Sequence, residues 1–248
     1  MPTILLRLAY DGTAYAGWQS QKNGLALQDV LEEALEKVLG ERVRTRAASR
    51  TDAGVHALDQ AVTFSTTLPI PTDAYVPALN NVLPEDVAVR SAREVPEGFD
   101  LQEAAEAKVY EYRILLAEVR DPLLRSRVWR LRPPLDVEAM REAARAVVGA
   151  HDFSAFRGSG SEAKTSVREI LSADWRQAHG ELRFRIEGKG FLRYMVRILV
   201  GTMAEVGQGK RSIPDFRALL QNGDRMRAGP TAPPEGLTLI QVRLREGL

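Results

Sequence analysis

Ser49-Arg50-Thr51-Asp52-Ala53-Gly54-Val55-His56-Ala57 (SRTDAGVHA) places one cation, one carboxylate, one imidazole and a glycine within nine residues, directly after an alternating run. A carboxylate held in a turn beside an arginine is one way to build an anionic nucleophile that needs neither metal nor cofactor. Asp and Gly are also the ordinary residues of a turn or helix cap. The surroundings of the stretch have to decide between these readings.

Upstream, Ile4 to Ala9 reads as a strand closed by the turn signal Asp11-Gly12. Leu27, Val30, Leu31, Ala34 and Val38 recur at helical spacing, with Gly40 where a C-terminal cap belongs. Val43 to Ser49 alternates, placing Arg42, Arg44 and Arg46 on one face and Val43, Thr45 and Ala47 on the other. Downstream, Gln60 to Thr66 is strand-like, Thr72 caps a short helix reaching Asn80, and Val87 to Val95 forms another strand. The pattern then restarts with a β-rich run from Val109 to Leu116 and a helical stripe of Val137, Met140, Ala144, Val147 and Val148 ending at Gly149. Val167 to Arg176 and Leu182 to Lys189 read as paired strands around His179-Gly180. A helix from Leu192 to Val206, a short one from Pro214 to Leu220 and a strand from Leu237 to Leu244 complete the chain, with Ala228 to Gly236 as a surface loop. Strand, helix and strands in each half predict an α+β class with two related lobes, 1–104 and 105–248.

With 44% hydrophobic and 27% charged residues over 248 positions, the composition is that of a globular protein of one large or two modest domains. No apolar run is long enough for a transmembrane helix, and MPTILLRLAYDG lacks the layout of a secretion signal, so a cytoplasmic location and no membrane partner are expected. Zero cysteines remove disulfides and thiolate chemistry together. Of the 34 basic residues 28 are Arg, whose planar fork matches phosphate, although codon usage in a GC-rich genome gives the same bias. The net charge of +1 points to nucleic acid only if the cations segregate onto one face.

Several common sites can be set aside. His56, His151 and His179 are far apart in sequence and lack zinc-ligand spacing, so no metal is expected. Gly207-Gln208-Gly209-Lys210 resembles the end of a phosphate-binding loop, but Ala204 replaces its first glycine and Arg211 its Ser/Thr. Asp11-Gly12-Thr13 resembles part of a phosphatase motif whose nucleophile position is Ala9. An aspartate-centred site with arginine and aromatic help remains.

SRTDAGVHA closely resembles the signature of the TruA family of tRNA pseudouridine synthases, with Ser49 in place of the usual first glycine. YDGTAYAGWQSQ (Tyr10 to Gln21), NNVLPEDVAV (Asn80 to Val89), KVYEYRI (Lys108 to Ile114), HDFSAFRG (His151 to Gly158), KTSVREI (Lys164 to Ile170), GFLRYMVRILVGTMAEVG (Gly190 to Gly207) and APPEGLTL (Ala232 to Leu239) also resemble family segments in order. The resemblance implies a cofactor-free isomerisation of uridine to pseudouridine in the anticodon stem-loop of tRNA. It further implies two lobes sharing an extended, mainly antiparallel sheet, an active-site cleft between the lobes, and a homodimer. Carried over residue by residue, Asp52 is the catalytic nucleophile on a flipped-out uridine, attacking either C6 of the base or C1′ of the ribose. Tyr110 lies against the base and Arg197 pairs with the aspartate. Arg50 helps expel the base from the stack, and Leu239, or its neighbour Leu237, forms an apolar wall. Arg42, Arg44 and Arg46 form an RNA-contacting stripe or, equally, the charged face of an edge strand. The chain departs from the family at Leu101-Gln102-Glu103-Ala104, where relatives carry an arginine, and at Lys108, where they usually carry an arginine. The rival readings are a non-catalytic tRNA-binding protein and a synthase acting on another RNA.

Overall fold

A computed structural model describes residues 1–160, 163–178 and 180–245, so the turn residue His179 lies outside the described residues. The chain forms two compact units, one of Met1–Lys108 joined by the residues from Thr238 onward, the other of Val109–Leu237.

The first unit begins with β1 (Thr3–Tyr10), α1 (Leu27–Leu39), β2 (Arg46–Ala47), β3 (His56–Ser65), α2 (Tyr75–Asn80), β4 (Val87–Val95) and α3 (Leu101–Ala104). β5 (Ala105–Leu116) carries the chain into the second unit. There follow β6 (Trp129–Leu131), α4 (Val137–Ala146), β7 (Gly149–Asp152), β8 (Val167–Ala178), β9 (Glu181–Gly188), α5 (Met195–Gly207) and α6 (Ile213–Asn222), before β10 (Leu237–Leu244) returns to the first unit. The fold is α+β with a mainly antiparallel sheet and helices packed on it, the class expected from the sequence.

In the first unit the strand order is β4-β1-β3-β10, with β2 on β3. β1 is antiparallel to β3 and β4, whereas β10 runs parallel to β3, with Thr238 opposite His56 and Leu239 opposite Ala57. Helix α1 stops where the periodicity indicates, because Gly40 takes the left-handed conformation (φ 71°) and its N–H donates to the Glu36 carbonyl. The alternation from Val43 is visible in burial, since Val43 and Thr45 are buried and Arg42, Arg44 and Arg46 exposed. Only Arg46–Ala47 pairs as a strand. Ahead of it, the amide and hydroxyl of Thr45 donate to the α1 carboxylate of Glu32, which occupies that N–H in place of a ladder bond. Thr72 opens a 3₁₀ turn whose cap position is Pro71, and the turn runs into α2.

The second unit has the strand order β5-β9-β8-β7, with β6 on β5. β8 and β9 pair antiparallel from Ile170/Gly188 to Ala178/Glu181. α4 packs on β8 and on α5, and the core gathers Trp175 against Phe184 with ring centroids 4.9 Å apart. Phe153, Phe156 and Phe216 form a second aromatic cluster. Arg113 of β5 donates from Nε and Nη2 to the two carboxylate oxygens of Glu181 at 2.9 and 2.6 Å. This fork holds the Glu181 carboxyl below the usual carboxylate range, against desolvation.

Two glycines let the segment after β1 lie against the residues before β3. A Cβ on Gly12 would sit 2.0 Å from the Val55 carbonyl oxygen, and one on Gly17 would sit 2.9 Å from the Thr51 carbonyl oxygen. Backbone bonds follow from this approach: Trp18 N–H donates to Thr51 O (3.0 Å) and Gly54 N–H to Tyr15 O (3.2 Å).

Gly17 has φ 101° and no room for a side chain, whereas Gly98 has φ 79° and open space around it. Gly17→Ala should therefore destabilise the fold by about 2–3 kcal/mol and Gly98→Ala by about 1 kcal/mol in urea unfolding. Stability from the Arg113–Glu181 pair is fully present above the unfolded glutamate value of about 4.3 and is lost as pH falls through the lower folded value. Glu181→Gln should accordingly flatten the acid limb of a plot of Tm against pH.

Candidate active site

Asp52 opens a β-turn. The Val55 N–H donates to the Asp52 carbonyl at 3.1 Å, and Gly54, third in the turn, has φ 77°, a value that glycine adopts without strain. Asp52 is half-buried, Thr51 before it is buried and Arg50 is exposed. The signature stretch is thus more than a turn, because its last two residues already belong to β3.

His56 sits at that junction. Its Nδ1 lies 3.0 Å from the Gly12 amide nitrogen and 3.0 Å from Asp11 Oδ1. One ring nitrogen cannot accept from the first and donate to the second at once. The amide hydrogen is fixed, and Asp11 Oδ1 already accepts from the amide (3.0 Å) and hydroxyl (2.6 Å) of Thr13. We therefore assign His56 Nδ1 as the acceptor from Gly12, a structural role that ties β3 to the segment following β1.

In the second unit, Tyr110 on β5 is buried, and its ring meets Phe191 edge-on with centroids 5.2 Å apart and planes at 84°. Arg197 lies in the first turn of α5. The helix begins at Met195 rather than at Leu192, because Tyr194 adopts φ 62° and breaks the helical path. Tyr194 is the one non-glycine residue with positive φ among the described residues. Its ring has the guanidinium carbons of Arg193 and Arg197 at 4.8 and 5.1 Å from the centroid, within cation–π range. Gly158 makes this possible, since a Cβ there would meet the Tyr194 ring at 2.4 Å.

Arg197 is also held by the segment read from sequence as a surface loop. Its Nε donates to the Ala232 carbonyl (2.8 Å), and the Ala232 N–H donates back to the Arg197 carbonyl (3.1 Å). The surface reading of Ala228–Gly236 is therefore incorrect for Gly229, Ala232 and Gly236, which are buried. A Cβ on Gly201 would lie 1.9 Å from the Pro230 carbonyl oxygen, so glycine chemistry here serves close packing rather than flexibility.

Leu239 is fully buried on β10, opposite Ala57 in the unit that carries Asp52. Arg42 and Arg44 are exposed and paired with Glu36 and Glu32 of α1 at 3.0 Å each, and Arg46 is exposed beside them in sequence. The Gln102 side-chain amide donates to the Ala47 carbonyl at 2.7 Å, which gives this departure from the family pattern a structural partner. The structure groups Asp52, Arg50 and Leu239 in the first unit and Tyr110 and Arg197 in the second. Sequence reasoning gave no role to Tyr10, Gly17, Gln60, Phe191 or Tyr194. Tyr10 and Gly17 fall within YDGTAYAGWQSQ, and Phe191 and Tyr194 within GFLRYMVRILVGTMAEVG, so the motifs carried the signal without its meaning. Among the described residues no three His, Asp or Glu side chains gather as a metal site, and no helix is long and apolar enough to cross a membrane.

The profile of a family described as "tRNA pseudouridine synthase" matches residues 8–102 and 143–244. The chain is 51% identical over 247 residues to "tRNA pseudouridine synthase A" of Citrifermentans bemidjiense, covering 99% of each chain. It is 48% identical over 248 residues to the protein of that name from Myxococcus xanthus, covering 100% of this chain and 94% of the relative. The like-named protein of Geobacter sulfurreducens is 47% identical over 243 residues, covering 98% and 100%. The family match and the near-complete coverage by such relatives lead to one conclusion: the chain belongs to the tRNA pseudouridine synthases, isomerases that convert uridine in tRNA to pseudouridine.

Proposed function

We propose that this isomerase acts on uridines of the anticodon stem-loop, with Asp52 as the nucleophile on a flipped-out uridine. The observation that carries the reading is the setting of Asp52, a half-buried residue whose backbone is tied into a turn. The reaction breaks the N1–C1′ bond, forms a C5–C1′ bond, removes the C5 proton and returns a proton to N1. Atoms and electrons balance without an oxidant, so a carboxylate, a proton acceptor and an anchored base suffice. Attack by Asp52 at C6 or at C1′ satisfies this balance equally.

Tyr110 is the residue proposed to lie against the base and assist removal of the C5 proton; its rigid contact with Phe191 supports a fixed aromatic surface. Arg197 is proposed to keep the Asp52 carboxylate ionised, which suits an arginine anchored through both its carbonyl and its Nε. Arg50, exposed next to the turn, is proposed to fill the space of the extruded base, whose extrusion costs a few kcal/mol. Leu239 is proposed as an apolar wall. Arg42, Arg44 and Arg46 are proposed as RNA contacts; their exposed ion pairs are worth at most about 1 kcal/mol each, so phosphate can displace the glutamates. A homodimer and a cytoplasmic location complete the reading.

Asp52→Asn should lower pseudouridine formation on unmodified tRNA by at least roughly a thousandfold while leaving tRNA binding nearly intact. Chemical labelling of pseudouridine gives the rate and its position, and filter binding gives the affinity. Wild-type turnover by this variant would remove Asp52 from the mechanism, and labels outside the anticodon stem-loop would overturn the substrate site. If the arginines meet phosphate, Arg42→Gln/Arg44→Gln/Arg46→Gln should reduce the slope of log K against log salt by up to about three contacts' worth; an unchanged slope would put the stripe elsewhere.

A further inference from the structure

Ser49 is the point where the chain continuing from β2 parts from its partner strand β3. Ala48 N–H still donates to the Ala61 carbonyl at 2.9 Å, continuing the ladder begun at Arg46/Thr63 and Ala47/Val62. At the next residue the partner changes from backbone to side chain. The Ser49 N–H donates to Gln60 Oε1 (3.2 Å) and the Ser49 carbonyl accepts from Gln60 Nε2 (2.7 Å). A primary amide carries the donor and acceptor of a peptide group, so the Gln60 side chain extends the ladder by one residue after the strands have parted. The backbone of Ser49 also fixes which end of the amide is oxygen, since an N–H needs an acceptor and a carbonyl a donor. Gln60 itself is fully buried.

The same amide reaches one step further. Nε2 lies 3.4 Å from the Tyr10 hydroxyl, and that hydroxyl lies 2.7 Å from Thr51 Oγ1. Tyr10 and Thr51 are 4% and 5% exposed, so water does not compete for these bonds. The Thr51 carbonyl is bonded in turn by Trp18 N–H, and Asp52 follows immediately. A register shift in the pairing of β1 with β3 between Leu8 and Tyr10 offsets Tyr10 from the regular ladder.

We propose that Gln60, acting through Ser49 and through Tyr10 and Thr51, is the positioning residue that sets the direction in which Asp52 leaves the sheet. The inference rests on the reading of Asp52 as the nucleophile. The Gln60 amide bonds the backbone of Ser49 and the Tyr10 hydroxyl bonds Thr51, the two residues that flank Arg50, and a carboxylate displaced by an ångström at the reacting centre loses rate rather than affinity. Gln60 does not touch substrate in this scheme; its effect is transmitted by the backbone of Ser49 and the hydroxyls of Tyr10 and Thr51.

The test compares Gln60→Leu, Tyr10→Phe, Thr51→Val and the Tyr10→Phe/Thr51→Val pair with Asp52→Asn, measuring kcat and KM on tRNA together with Tm. Tyr10→Phe and Thr51→Val should each lower kcat roughly ten- to a hundredfold with KM unchanged and the protein still folded. Their combination should lose no more than Tyr10→Phe alone, because Thr51→Val removes a bond that Tyr10→Phe has already removed. Gln60→Leu should lose at least as much as Tyr10→Phe; if it does not fold, the two hydroxyl variants decide. Wild-type kcat in Tyr10→Phe and Thr51→Val, or a loss confined to KM or Tm, would overturn the positioning role while Asp52→Asn stays inactive. Full activity in Asp52→Asn would instead remove the nucleophile reading and this proposal with it.

Discussion

The close approach of the backbone at residues 12–17 to the backbone at 51–55 is the constraint on which the turn at Asp52 depends. Two chain segments can lie this near only where one of them has no side chain, and Gly12 and Gly17 supply that absence. The turn then takes its coordinates from β1 and β3 rather than from its own short loop. His56 reinforces the join by accepting from Gly12, and Trp18 and Tyr15 bond backbone groups of the turn directly. The turn at Asp52 is positioned by the chain itself, with main-chain hydrogen bonds and buried polar side chains.

The second unit reaches the same end by a different route. Tyr194 is held at a positive φ, a conformation that costs on the order of 1–3 kcal/mol for a residue with a side chain. The ring then stacks under two guanidinium groups, and Gly158 leaves the space it fills. Arg197 is bound at its carbonyl and at its Nε by Ala232, so the first turn of α5 and the 229–232 segment are one packed assembly. Gly201, Gly229 and Gly236 all sit where a Cβ would strike a neighbour, which is why a stretch composed like a loop is in fact structural.

Much of this was legible along the chain. β4 and β10 begin and end at the residues the alternation indicates, and Gly40 terminates α1 in the left-handed conformation its position called for. The signature pointed to Asp52 and the ordered motifs to the family. β3 was legible only from Gln60 onward, because its strand-forming Val62, Thr63 and Phe64 lie there, whereas the earlier residues 56–59 include no Val, Ile, Thr, Phe, Tyr or Trp. The start of α5 was misplaced because apolar periodicity continues through Leu192 while the backbone at Tyr194 does not. The arginine run kept its alternating burial yet lost most of its strand, since Glu32 from α1 took the amide of Thr45.

Composition, periodicity and motif order were sufficient for the α+β class, the absence of thiolate chemistry and the family, because these depend on residues near one another in sequence. The roles of Gln60, Tyr10, Gly17 and Tyr194 emerged from packing alone. A glutamine in a strand reads as an ordinary polar residue until the backbone of Ser49 is brought against its amide, eleven residues away in sequence. Gly17 reads as a turn former until the main chain at Thr51 lies 2.9 Å from the Cβ it lacks. Hydrogen bonds and steric exclusion act over a few ångströms of space, and spacing along the chain carries no record of which distant groups will share them.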